Sequence, residues 1–238
     1  MPRTVLITGG TSGIGRATAA RFAADAADVT ITGRRSTTVD AAARELGVRG
    51  VVCDGTDPEQ ISALAARFDS LDVLVNAAGG LADPPTDGLS PLAGQAAQWR
   101  ADLELNLLSA VLTTTALQDK LTEGSAVISI GSIGAERRGG SYGAAKAALS
   151  AWGAFLSAQL APRGVTSNVI SAGFIDETGF FGGALSDARR TALVEETHNK
   201  RAGVPADIAE TAYFLASPGA RHITGQTLHV NGGAHTTR

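Results

Sequence analysis

A chain of 238 residues with 44% apolar and 18% charged side chains suits one large globular domain with a sizeable core, not a disordered segment. Twenty basic against twenty-three acidic residues give a net charge of −3, which leaves no basic excess to neutralise a phosphate backbone and sets nucleic-acid binding aside. No apolar run reaches the about 18 residues of a membrane span, Met1-Pro2-Arg3 runs straight into Val5-Leu6-Ile7 without a signal peptide's regions, and the lone Cys53 can form no intrachain disulfide, so a cytoplasmic location without a membrane partner is expected.

Short β-branched or aliphatic runs alternate with longer alanine-rich segments. A strand is expected at 4–8 and a helix at 13–24, followed by a strand at 28–33 and a helix at 38–46 that exits at Gly47. The next strand, 50–54, leads to a helix at 58–68, whose start Asp57-Pro58-Glu59-Gln60 supplies an N-cap, a first-position proline and an acidic first turn. A strand at 72–76, a helix at 92–119, a strand at 126–131, a helix at 142–161 and a strand at 166–171 continue the rhythm. Helices at 187–197 and 206–216 and a strand at 227–230 complete it. Runs such as Val73-Leu74-Val75 are apolar on both sides, as parallel strands covered by helices on both faces require. The expectation is an α/β fold spanning 1–238 as one Rossmann domain, a doubly wound parallel sheet of about seven strands. A long irregular stretch, 172–186, carries Phe174, Phe180, Phe181, Gly179, Gly182 and Gly183 and is expected to act as a lid, part of a substrate loop over 172–198.

Thr8-Gly9-Gly10-Thr11-Ser12-Gly13-Ile14-Gly15 follows the first strand and opens the first helix. Gly9, Gly13 and Gly15 let the backbone turn sharply and approach a pyrophosphate, which the helix N-terminus attracts. The spacing G-x-x-x-G-x-G differs from G-x-G-x-x-G, so strand–turn–helix context carries the assignment. At the end of the second strand, about 20 residues on, an acid would bind the 2′-hydroxyl of NAD. Here stand Arg34 and Arg35, which can fork onto a 2′-phosphate, so NADP(H) is favoured and NAD(H) stays possible. The other reading of this pair is a solvated turn. Asp54, with Gly55 after it, is either an acceptor for the adenine amino group or a turn residue ahead of the Asp57 cap. Asn76-Ala77-Ala78-Gly79 ends the fourth strand beside the glycine turn, where small side chains let a ribose lie close.

Tyr142 and Lys146 stand four apart on one helical face. A phenol with a pKa of about 10 is a poor acid–base catalyst at neutral pH, and a fixed ammonium is expected to lower that value. Ser132, at the carboxyl edge of its strand, can donate to the same substrate oxygen. Ser129, inside the run, is expected to be buried instead. Asn106 sits in an apolar helix, where it is either a satisfied core amide or the holder of a water beside Lys146. No metal site is expected.

The order and spacing of these residues resemble the short-chain dehydrogenase/reductase family over nearly the whole chain, from Thr4 to Gly233. The match includes Ile223-Thr224-Gly225-Gln226 and Val230-Asn231-Gly232-Gly233 near the end, a region similar to bacterial 3-oxoacyl-(acyl carrier protein) reductases. The resemblance implies that Tyr142 is the acid–base residue, that Lys146 tunes it and bonds the nicotinamide ribose, that Ser132 positions the carbonyl and that Asn106 supports a proton relay. It also implies cofactor contacts at Gly173, Ile175 and Thr178 and a homotetramer or homodimer. This chain departs from relatives in having Ala172-Gly173 where Pro-Gly is usual, Thr178 one position later, and Ser12 where NADP-dependent members often place a basic residue. Leu81, Ile133, Phe174, Phe180 and Phe181 suggest an apolar wall for a small-molecule substrate, and Arg137 and Arg138 either meet an acidic group or an acyl-carrier partner or are solvated. The expected activity is NADP(H)-dependent hydride transfer between nicotinamide and a ketone or secondary alcohol, with carbonyl reduction the favoured direction. The alternatives are a non-catalytic NADP(H)-binding sensor or scaffold, and a sugar-nucleotide epimerase or dehydratase, whose larger C-terminal substrate domain this chain does not match.

Overall fold

A computed structural model describes residues 2–85, 87–137, 139–180 and 185–237. The elements alternate as expected. They are β1 (Thr4–Thr8), α1 (Gly13–Ala24), β2 (Asp28–Gly33), α2 (Ser36–Leu46), β3 (Arg49–Val52), α3 (Pro58–Ala65), β4 (Leu71–Asn76), α4 (Pro91–Leu103), α5 (Ser109–Leu117), β5 (Leu121–Ser132), α6 (Gly140–Leu160), β6 (Thr166–Ala172), α7 (Asp187–Glu195), α8 (Pro205–Leu215) and β7 (Thr227–Val230). All seven strands lie parallel in one sheet, in the order β3-β2-β1-β4-β5-β6-β7. The order reverses between β1 and β4, and that switch point opens a crevice at the carboxyl ends of the strands.

Successive strand residues feed opposite cores, which is why the strands read as unbroken apolar runs. Val5 and Ile7 of β1 pack with Phe22 of α1 and with Ile208, Ala212 and Leu215 of α8. Leu6, between them, joins Leu64 of α3, Leu117 of α5, and Leu156 and Leu160 of α6 on the other face.

Four elements, among others with smaller shifts, depart from the expected bounds. The helix expected over 92–119 is broken by a π-helical turn, Glu104–Leu108, that contains Asn106. Asn106 Nδ2 donates to the Asp102 carbonyl at 3.1 Å, the acceptor an α-helical N–H at 106 would use, and a side chain inserted there widens the turn. β5 begins at Leu121, not 126, because its register against β4 shifts between Leu71 and Val73. Ser125 bridges that irregularity, its hydroxyl donating to the Leu71 carbonyl at 2.8 Å and accepting from Thr122 N at 3.0 Å. β3 and α3 are each shorter at their C-terminal ends than the expected 50–54 and 58–68.

Candidate active site

The glycine turn sits where β1 delivers it, over the switch point. Gly9 has φ +66°, and a methyl group there would stand 2.8 Å from the Ala78 nitrogen; at Gly15 a methyl would meet the Gly9 carbonyl oxygen at 2.3 Å. Only glycine lets the turn fold this tightly on itself and on the exit of β4. Thr8 Oγ1 fixes the junction by accepting from Ala77 N and Ala78 N, both at 3.1 Å. Ser12 caps α1 in extended backbone without a side-chain hydrogen bond, and the helix carries no acid in its first turn. Its N-terminal N–H groups and dipole are therefore set for an anion.

One cleft of about 1000 Å³ runs from this turn. Gly9, Thr11, Ser12, Gly13, Ile14 and Gly15 line one side, with Arg34, Arg35, Asp54 and Gly55 at the same end. Both arginines are exposed, and no salt bridge among the described residues uses either. Arg35 is the N-cap of α2, whose first turn also lacks an acid, so a second helix dipole reinforces the guanidiniums. The turn-residue reading of Asp54 has direct support, since its Oδ1 accepts from Thr56 N at 2.9 Å and Thr56 Oγ1 at 2.8 Å while the residue also borders the cleft. Glycines that a Cβ would clash with, an uncapped helix end and unpaired guanidiniums together fit a phosphorylated dinucleotide.

Farther along the cleft, Ser132 from the end of β5 and Tyr142 and Lys146 from α6 converge. Ser132 Oγ accepts from Gly134 N at 3.0 Å and hydrogen-bonds the Tyr142 phenol. Lys146 Nζ lies 5.9 Å from the centroid of the Tyr142 ring and donates to the Ile130 carbonyl at 2.8 Å. Ala77, Ala78, Gly79 and Leu81 form the facing wall. Asn76 and Asn106 stand behind it. Asn76 is buried, its Nδ2 donating to Thr114 Oγ1 at 3.0 Å. Asn106 Oδ1 accepts from Gly80 N and Asn106 Nδ2 donates to the Gly80 carbonyl, each at 2.9 Å, so the side chain clamps the loop beyond Gly79. Ser129 is buried as expected.

The electrostatics correct one expectation. Burial pushes the Tyr142 phenol above its ordinary value; the Ser132 hydrogen bond pulls it down, and the Asp102 carboxylate pushes it further up. Burial likewise pushes the Lys146 ammonium down to about 8. Loss of solvent, more than the neighbouring ammonium, therefore governs the phenol here.

Asp102 went unread in the sequence. It is 2% exposed and accepts from Ser141 Oγ at 2.6 Å, Gln98 Nε2 at 3.0 Å and Ala82 N at 3.2 Å, joining α4 to the residue before Tyr142 and to the β4 exit loop. The signal was a polar series at fourfold spacing, Gln98, Asp102 and Asn106, along one helical face.

Beyond β6 the loop crosses the cleft. Gly173, Phe174, Ile175, Thr178 and Phe180 all line it, as does Ile133 from the opposite side. Thr178 lies against Gly13, where an added methyl would come within 3.2 Å of the Thr178 carbonyl oxygen, and the Phe180 ring meets Tyr142 edge-on at 5.5 Å. Phe181 and Arg138 lie outside the described residues. Arg137 borders the cleft and pairs with Glu196 at 2.6 Å. Gly173 packs so closely on Asn231 that a methyl there would lie 2.6 Å from its Cα; this contact fixes the turn that follows Ala172.

A family model described as enoyl-(acyl carrier protein) reductase matches residues 9–235. A Mycobacterium tuberculosis protein named as a candidate oxidoreductase is 38% identical over 97% of each chain. The 3-oxoacyl-(acyl carrier protein) reductase of Escherichia coli is 35% identical over 98% of this chain and 97% of its own. Among solved structures, a short-chain dehydrogenase from Burkholderia cenocepacia in complex with NADP superposes with a TM-score of 0.83 at 33% identity, covering 98% of this chain and 97% of that one.

Proposed function

Because the chain belongs to the short-chain dehydrogenase/reductase family, a family of oxidoreductases, we propose that it reduces a ketone to a secondary alcohol with NADPH, using Tyr142 as the proton donor. The convergence of Ser132, Tyr142 and Lys146 in the cleft that begins at the glycine turn carries this reading. The preference for NADP(H) rests on Arg34 and Arg35 and the lack of an acid in the first turn of α2, and a structural relative was solved with NADP. The phosphates belong on the α1 N-terminus, the 2′-phosphate on the two guanidiniums, and the nicotinamide end toward Tyr142, Lys146, Gly173, Ile175 and Thr178.

When bound, the nicotinamide supplies the hydride. The chain supplies the rest. Ser132 Oγ accepts from Gly134 N, and its own proton, which serves the Tyr142 phenol, turns to the substrate oxygen when substrate binds. Tyr142, held protonated by burial, gives its phenolic proton to the oxygen as negative charge develops there. Lys146, with a pKa of about 8, is mostly an ammonium at neutral pH and stabilises the phenolate left behind. A protonated phenol is the form that carbonyl reduction requires. Gly79 keeps space open between Asn106 and Lys146, for a methyl there would lie 2.8 Å from Asn106 Oδ1 and 3.0 Å from Lys146 Nζ. That gap supports the water-linked proton path assigned to Asn106. Leu81, Ile133, Phe174 and Phe180, with Phe181 assigned from sequence, give the substrate an apolar surround.

The same reading includes a homodimer or homotetramer in the cytoplasm. Trp99, Leu103, Leu108 and Phe155 leave apolar surface exposed along the α4, π-turn and α6 stretch, where a second copy would cover it. The sole thiol, Cys53, is buried, and no described helix is long and apolar enough to cross a membrane. The test is transfer of deuterium from NADPH labelled at the nicotinamide C4 to a ketone panel. Label on the carbinol carbon of a product supports the reading, and unlabelled panel ketones recovered unchanged speak against it.

A further inference from the structure

Outside the Ser132, Tyr142 and Lys146 set, three separate segments bring potential ligand atoms of Glu136, His229 and His235 within 4.8 Å of one another. Glu136 follows the turn that leaves Ser132, His229 lies in β7 opposite Ser171, and His235 lies in the tail beyond β7. The two imidazole rings face each other with centroids 5.0 Å apart and planes tilted by 50°.

One observation points to a ligand, and a second shows that the fold assembles the cluster. His229 Nδ1 is buried and has no hydrogen-bond partner, a cost that a native structure ordinarily offsets with water or an ion. The tail is also held in place by bonds that do not use the imidazoles: Asn231 Nδ2 donates to the His235 carbonyl at 3.0 Å, Gly233 N donates to Asn231 Oδ1 at 2.9 Å, and the Gly232 carbonyl accepts from His198 N at 2.8 Å. The cluster is thus assembled by the fold itself.

We propose that Glu136, His229 and His235 form a binding site for a divalent cation of borderline softness, of which Zn²⁺ is the type. Two imidazoles and one carboxylate suit such an ion, whereas Mg²⁺ and Ca²⁺ seek oxygen. Metal–ligand distances near 2.0–2.2 Å place tetrahedral ligand atoms about 3.4 Å apart, so the trio closes by about 1.5 Å at most. Glu136, which is exposed, can make that movement by side-chain rotation. Water fills the remaining position. A bound cation would tie the segment between Ser132 and Tyr142 to the C-terminal tail, whose Ala234 borders the catalytic cleft. The role is structural and stands whether or not the proposed reduction does.

The test uses the untagged full chain, stripped with a chelator, titrated with Zn²⁺ by calorimetry and with Co²⁺ by visible absorption. The expected result is one equivalent per chain, with the absorption of a tetrahedral nitrogen–oxygen site. Free Zn²⁺ at one hundred times Kd is expected to raise the thermal midpoint by about 5–10 °C. Glu136→Gln and His235→Ala each weaken binding at least about tenfold, while His222→Ala leaves it unchanged. Glu136 and His222 are both exposed, so their variants retain the fold. Absence of saturable binding, or binding as tight in Glu136→Gln and His235→Ala as in the parent, overturns the proposal.

Discussion

The Lys146 ammonium donates to the main-chain carbonyl of Ile130 at 2.8 Å and thereby ties α6 to the strand that ends in Ser132. The bond holds a charge that is largely withdrawn from solvent, and burial lowers its pKa from 10.5 to about 8. That drop corresponds to about 3 kcal/mol of destabilisation in the protonated fold. Between pH 8 and 10.5 the unfolded chain binds the proton and the folded chain does not, so this contribution makes stability rise with pH across that window. Lys146→Met is expected to gain about 2 kcal/mol at pH 7, after loss of the Ile130 bond is set against the relief. Urea unfolding at pH 7 and pH 9.5 checks this: the gain shrinks at the higher pH, and the same variant loses turnover.

Under the proposed mechanism, Asp102 acts on the reaction through Tyr142. Its carboxylate helps to hold the phenol protonated and also receives the Ser141 hydroxyl. In Asp102→Asn the repulsion toward a phenolate is gone, so the Tyr142 pKa falls. The basic limb of the pH profile of kcat/KM is expected to move to lower pH. A variant that only loosened the structure would lower kcat at every pH without moving the limb.

On the proposed reading, cofactor choice resides in Arg34 and Arg35. If each guanidinium contributes about 1.5–3 kcal/mol to a 2′-phosphate, the single alanine variants raise KM for NADPH by about 10–100-fold. KM for NADH stays near its original value, since that cofactor lacks the phosphate. Parallel initial-rate curves with the two cofactors provide the check.

Sheet class, strand number and the placement of the glycine turn were legible because continuous apolar runs and glycine spacing report local backbone physics. Ser132, Tyr142 and Lys146 were legible because strand end and helix start are both visible in the sequence, and both meet at the carboxyl edge. The break in the helix at Asn106 was not, because it depends on one side-chain amide taking a main-chain acceptor. Nor was the direction of the Tyr142 shift, which follows from burial that only packing creates. Asp102 escaped for a related reason: a single acid on a helix looks like surface until the loop at Ala82 and the α6 start close over it.

The central claim is most directly tested by initial rates of NADPH oxidation across aliphatic, aromatic and acyl-thioester ketones, with NADH in parallel and Tyr142→Phe as the control. The account predicts turnover that favours NADPH and falls at least about a thousandfold in Tyr142→Phe while NADPH still binds. NADPH binding without turnover of any ketone, or turnover undiminished in Tyr142→Phe, would contradict it.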